Sequence, residues 1–130
     1  MVPAVSIGFR TKDFRMIKRL IPGKRLSQAA IHGNTVYLAG QVPDDYTGTI
    51  EAQTTQVLAK IDALLKEAGT DKTKMLSVTV WLPSMGDFAK FNTVWDAWVP
   101  ADNTPARACV EARLADPSIK VEIAVIAAIG

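Results

Sequence analysis

Apolar and polar positions alternate over several stretches of this chain and recur at helical spacing over two others. Residues 34–41, Asn34 to Gln41, are rich in strand formers and follow the turn chemistry of His32-Gly33-Asn34. Residues 25–31 supply the preceding strand of a hairpin whose second arm is 35–41. In 75–82, Leu76, Val78, Val80 and Leu82 share one face, Ser77, Thr79 and Trp81 share the other, and Pro83 ends the run. Residues 106–114 and 119–128 read as two closing strands around Asp116-Pro117. In the last of them Val121, Ile123, Val125 and Ala127 alternate with Glu122, Ala124 and Ile126. Between the strands, 50–68 carries one helical stripe of Val57, Leu58, Ile61, Leu64, Leu65 and Ala68, with Gln53, Gln56, Lys60 and Lys66 off it. Thr49 is placed to cap its start and Gly69 to follow its end. A second helix begins at Asp87, as its cap, and presents Phe88, Phe91, Trp95 and Trp98 as a core-packing stripe.

The order β-β-α-β-α-β-β predicts an α+β sheet with both helices packed on one face. A chain of 130 residues with 48% hydrophobic and 22% charged residues is one globular domain's worth. No apolar run approaches the ~20 residues that span a bilayer, so no membrane-integral role is expected. Cys109 is the single cysteine, which excludes an internal disulfide and points to a reducing, cytoplasmic setting. His32 is the single histidine, so neither a histidine-rich metal site nor a serine–histidine triad has its parts, and no metal is expected.

Charge is segregated along the chain. Residues 1–25 hold seven basic side chains against Asp13 alone, a net of +6, and the rest hold eight against twelve acids, a net of −4. Residues 1–16 read as a basic N-terminal extension and 17–130 as the domain. The leader lacks the apolar stretch of a secretory signal, and Met16 offers a second start. No aromatic stacking pattern accompanies these charges, so an extended segment with solvated charges is the expected reading and nucleic acid is not the expected partner.

Glycine-rich phosphate loops, Gly-x-Ser-x-Gly elbows and Cys-x-x-Cys pairs are absent. What remains is Arg107, Cys109, Glu111 and Glu122. The first three are two apart, on one face of a strand. The planar fork of Arg107 matches a carboxylate in two parallel hydrogen bonds. The alternative is an ion pair with Glu111 or Glu122, or a solvated edge charge. Glu122 is the nearest acid–base group and could orient or deprotonate a water. Cys109 reads as a small apolar strand residue rather than a nucleophile, and His32 as a turn residue.

A set of ordered segments resembles the Rid family, the reactive intermediate deaminases, also called YjgF-like proteins. The segments are Leu26 to Ala29, Tyr37 to Gln41, Gln53 to Leu58, Thr79 to Leu82, Asp87 to Asn92, Thr104 to Glu111 and Val121 to Ala127. They span about 17–129, and Pro-Ala-Arg-x-Cys-Val-Glu is the most specific piece. The resemblance implies a chorismate-mutase-like fold and a homotrimer with clefts between neighbouring subunits. It also implies cofactor-free hydrolysis of reactive 2-imino or 2-enamino acids to 2-keto acids and ammonia. Under it, Arg107 holds the substrate carboxylate and Glu122 attends the attacking water. Backbone around Cys109, with Gly40 and Gln41, lines the cleft, and Asn92 stands structurally at its margin. Leu26 and Ala39 take the places of a family tyrosine and serine, and Ala124 that of a glutamate. The implied pocket is therefore more apolar and should favour less polar substrates. The rival readings are a non-catalytic module for keto acids or other small carboxylates, a chaperone-like partner and, behind them, a ribonuclease.

Overall fold

The computed structural model describes residues 16–130. Six strands form one mixed sheet: β1 (Ile17–Pro22), β2 (Ser27–His32), β3 (Thr35–Leu38), β4 (Met75–Leu82), β5 (Ala106–Glu111) and β6 (Glu122–Ala128), in the spatial order β1-β2-β3-β6-β4-β5. Helices α1 (Ile50–Glu67) and α2 (Phe88–Trp98) fill the connections around β4. All neighbouring strands run antiparallel except β4 and β5, which are parallel and joined through α2. The core lies between the helices and one sheet face, where Val36, Val78, Val80, Val121 and Ile123 meet Val57, Ile61, Leu65 and Phe91. Among the described residues no helix is long and apolar enough to cross a membrane.

The expected order of elements lacks one strand. β1 pairs with β2 from Ile17↔His32 to Pro22↔Ser27. Only Leu20 of its six residues is buried, so Lys18, Arg19 and Pro22 leave no alternation to read. Residues 1–15, which carry nearly all of the expected extension, lie outside the described residues. Strand ends also retreat: β3 stops at Leu38, with Gln41 returning as an isolated bridge to Ile123, β5 stops at Glu111, and β6 starts at Glu122.

Phase is corrected once in β4. Met75 pairs with Ala127 and Ser77 with Ile126, so Leu76 is the extra residue of a bulge. Met75 takes the inward place and Leu76 is 51% exposed, against the expectation that Leu76 shares the Val78 face. Beyond the bulge the alternation holds through Leu82.

The helix signals divide. Thr49 Oγ1 accepts from the Ala52 N–H at 3.1 Å, and Gly69 sits at φ +88°, the left-handed position a glycine takes without steric cost. Asp87 makes no side-chain cap. It lies at φ −90°, ψ 0°, because a 3₁₀ turn over Met85–Asp87 runs straight into α2, and Ser84 instead accepts from Gly86 N at 3.2 Å. Gln53, off the apolar stripe in sequence, is fully buried. Its Nε2 donates to the carbonyls of Tyr46, Gly48 and Ser118, and its Oε1 accepts from Lys120 N at 2.8 Å. One amide thus ties two loops to α1.

Two stability changes follow, both read by chemical denaturation at fixed protein concentration. Gln53→Leu, which strands three carbonyls and an N–H, should cost about 2–4 kcal/mol. Thr49→Ala should cost about 1 kcal/mol.

Candidate functional site

Arg107 is set on β5 opposite Val78 of β4, so it shares the face that the helices cover. α2 crosses directly above it. Arg107 Nη1 donates to Asn92 Oδ1 at 3.0 Å. Its guanidinium carbon lies 5.2 Å from the ring centre of Trp95, 5.6 Å from Phe91 and 5.9 Å from Phe88. Positions 88, 91, 92 and 95 fall on one helical face. The aromatic stripe therefore packs the core, as expected, and also shelves a cation, which was not expected. Phe91 and Trp95 are buried against each other, while Phe88 borders the surface. Rings in this position attract a guanidinium electrostatically without consuming its charge. Asn92 is more than a margin residue, since it contacts Arg107 directly. The available signal is the place of Asn92 four residues after Phe88 and three before Trp95, on the face of the aromatic stripe.

The ion-pair alternative for Arg107 is not what the structure holds. Glu111 Oε1 accepts from Met85 N at 3.3 Å. Glu122 stands on the other face of the sheet. The one ion pair among the described residues is Lys60–Asp44 at 2.8 Å. Among the described residues Arg107 forms no ion pair, and its contacts are the neutral Asn92 and the three rings.

Cys109 lies two residues along on the same face, half-buried against the core. Burial pushes its thiol up, with Arg107 pulling weakly the other way. A thiol so held is protonated near neutral pH and is a poor nucleophile.

Glu122 opens β6 and pairs across to Trp81, both on the face away from the helices. Burial holds its carboxyl above the ordinary glutamate range. Gly40 makes room for it. A Cβ at residue 40 would overlap Glu122 Oε2 and stand 3.0 Å from its Cδ. The Gly40-Gln41 segment is fixed by two backbone bonds between Gln41 and Ile123, at 2.8 and 3.1 Å. Gln41 Nε2 donates to Gln28 Oε1 and to Ala39 O, at 2.9 and 3.0 Å. Ala39 N donates to Gln28 O at 2.9 Å. Leu26, 55% exposed, closes the β1–β2 turn at the same end of the sheet.

The candidate residues therefore form two groups. Arg107, Asn92 and Cys109 lie under α2, while Glu122, Gly40, Ala39 and Leu26 gather around the end of the open face. A sheet separates them within one chain. Among the described residues, no three His, Cys, Asp or Glu side chains cluster in a way that could hold a metal ion.

Comparison with known proteins supplies context for this arrangement. The family profile described as endoribonuclease L-PSP matches residues 16–129. A RutC family protein of Haemophilus ducreyi is 46% identical over 114 residues, which cover 88% of this chain and 97% of that protein. A Neisseria meningitidis member of the YjgF protein family superposes with a TM-score of 0.88 at 44% identity, covering 90% of this chain and 98% of that one. A Yersinia pestis protein of the conserved Rid family gives a TM-score of 0.77 at 33% identity, covering 82% and 90%.

Gly40→Ala should keep the fold, because the atom it displaces is the far end of a flexible side chain. It should swing the Glu122 carboxyl toward water and lower its pKa toward the ordinary range, read by NMR titration of the side-chain carboxyl. The pH profile of Cys109 alkylation by iodoacetamide should rise at higher pH than that of a free cysteine.

Proposed function

This chain belongs to the endoribonuclease L-PSP family, whose members include RutC, YjgF and Rid proteins, and on that footing we propose that it hydrolyses reactive 2-imino acids, and the 2-enamino acids that tautomerise to them, to 2-keto acids and ammonia. The observation that carries this reading is the state of Arg107. Its guanidinium is fixed by Asn92 and three rings yet has no carboxylate partner among the described residues. Arg107 is half-buried, and a half-buried guanidinium fork already oriented by a neutral partner is prepared to receive an anion. The carboxylate of a small 2-imino acid supplies it in two parallel hydrogen bonds.

With the carboxylate anchored, the adjacent imine carbon is fixed for attack. Glu122 takes a proton from water as the oxygen adds to that carbon, giving a tetrahedral carbinolamine. With the imine protonated on nitrogen at the outset, the proton held by Glu122 passes to the amine; as the C–N bond breaks and ammonia leaves, the carbinolamine hydroxyl gives its proton to Glu122, the carbonyl of the 2-keto acid forms, and the carboxyl hands that last proton to ammonia. An imine is electrophilic enough for the side chains named here to suffice. Fixing water and imine in an attack geometry is itself a large part of such catalysis.

Arg107 and Glu122 lie on opposite faces of one sheet, so one small substrate reaches both only if they come from different protomers. The open face supports an assembly of that kind. Away from Glu122, Tyr37 and Ile126 leave it partly exposed and apolar. We assign it to a homotrimer with three such clefts.

The ribonuclease reading fares less well on position. His32, the one histidine, sits at the β2–β3 turn and pairs with Ile17 and Thr35, at the opposite end of the sheet from Glu122.

The test couples an amino-acid oxidase, which generates imines, to semicarbazide, which traps those that survive. Added protein should suppress semicarbazone formation, and Arg107→Ala should lose activity on the order of a hundredfold or more in kcat/KM. Tight 2-keto acid binding with no suppression would favour the non-catalytic module instead. Activity should rise with pH through an apparent pKa above the ordinary glutamate range, since Glu122 must be ionised to accept the proton, and Glu122→Gln should remove that limb. Mixing and re-annealing Arg107→Ala with Glu122→Gln at equal amounts should restore about a quarter of the sites if each cleft draws on two protomers. No recovery would sink the shared cleft.

A further inference from the structure

Glu122 has a neighbour that the proposed reaction does not use. In the β4–β6 register Trp81 stands directly opposite Glu122, and in the parallel β4–β5 register it stands opposite Val110. Directly opposed residues on antiparallel strands hold their Cβ atoms about 4.5–5.5 Å apart. The indole therefore borders the carboxylate. Trp81 alternates with the buried Val80 and Leu82, which places it on the open face. Trp95 and Trp98 belong to the core or pack on it, whereas Trp81 takes no part in that cluster.

What surrounds the ring is small and uncharged. The next rank inward along the open face is Ala124, Thr79 and Ala108, paired across β6, β4 and β5. Val110, 45% exposed, flanks the indole on the far side. Gly40 and Ala39 stand beyond Glu122. Glu122 is the one charge in these two ranks. A wide aromatic surface set among small residues, beside a single acid, is one that an apolar group can cover.

We propose that Trp81 is the specificity-determining residue of this site, receiving the substrate side chain and selecting 2-imino acids with large apolar side chains, aliphatic or aromatic. The inference rests on the imine-hydrolysis reading, which sets the reacting carbon beside Glu122. One bond further along the substrate lies the first side-chain carbon, so the side chain emerges within reach of whatever borders Glu122. An apolar group leaves water against the indole. A second carboxylate would meet Glu122 and be repelled. A methyl group is too short to cover the ring, so a small substrate gains little from it.

The experiment measures kcat/KM by the oxidase–semicarbazide competition for imines made from leucine, methionine, phenylalanine, alanine and aspartate. Light scattering records the oligomeric mass of each variant. Wild type should favour the large apolar imines over the alanine-derived one by about tenfold or more. Trp81→Ala should lose about tenfold on the large substrates and stay within about threefold of wild type on the alanine-derived imine. Trp81→Phe should keep the preference. Equal loss across the whole series would overturn the inference. So would a changed oligomeric mass in both variants, which would make the ring a subunit contact. Turnover with a flat side-chain profile in wild type would overturn this inference and leave the reaction standing. No turnover of any imine would overturn the reaction itself.

Discussion

Two neighbouring strands that run the same way need a connection that crosses the sheet, and in this fold one such connection sets the site. Among the described residues β4 and β5 are the only parallel pair, and α2 is their crossover. A crossover helix must lie on one face and bury an apolar stripe there. Phe88, Phe91 and Trp95 are that stripe, and Asn92 rides on it. β5 emerges beneath them at the sheet edge, with Arg107 facing up into the rings. The guanidinium is thus held by elements that the topology would require in any case. Asn92 matters because it is neutral. It fixes the direction of the fork without cancelling the charge, as an aspartate in its place would do.

The second dependence is parity. Side chains on a strand alternate faces, so a slip of one residue would exchange every assignment made above. The bulge at Leu76 absorbs one residue and restores the phase in which Val78, Val80 and Leu82 face inward. That same phase brings Trp81 to the open face beside Glu122. The two candidate groups are therefore held apart by the covalent geometry of the strands, and relaxation of loops cannot join them in one chain. A shared cleft between protomers is the arrangement in which a fixed parity stops being an obstacle.

Much of this was legible in the sequence, and the reasons for the failures are physical. The alternation in 75–82 and 121–127 is strong because one face is sealed by helices, and Thr49 and Gly69 mark α1 because capping chemistry is local. β1 left no trace, since an edge strand with one buried residue has no period to detect. Gln53 looked like surface because its burial depends on a carbonyl and an N–H more than 60 residues downstream, at Ser118 and Lys120, as well as on its neighbours. β5 is the instructive case. Ala106, Ala108 and Val110 alternate with Arg107, Cys109 and Glu111, and a hydrophobicity rule would send the apolar set inward. The structure does the reverse. An aromatic shelf makes the covered face hospitable to a cation, and the open face, being apolar itself, accepts the alanines.

That inversion bears on Leu26 and Ala39. Both lie on the Glu122 side, and neither touches the Arg107 shelf. In the proposed reaction, anchoring of the carboxylate belongs to one protomer and selection of the side chain to its neighbour. On that division Leu26 and Ala39 bear on selection and leave the anchor alone. A chain can change what it accepts by substituting around Glu122 and keep how it holds the acid, because the sheet insulates one task from the other. Leu26 and Ala39 keep the sheet end on the far side of Glu122 apolar, which agrees with the apolar side chains that Trp81 is proposed to receive.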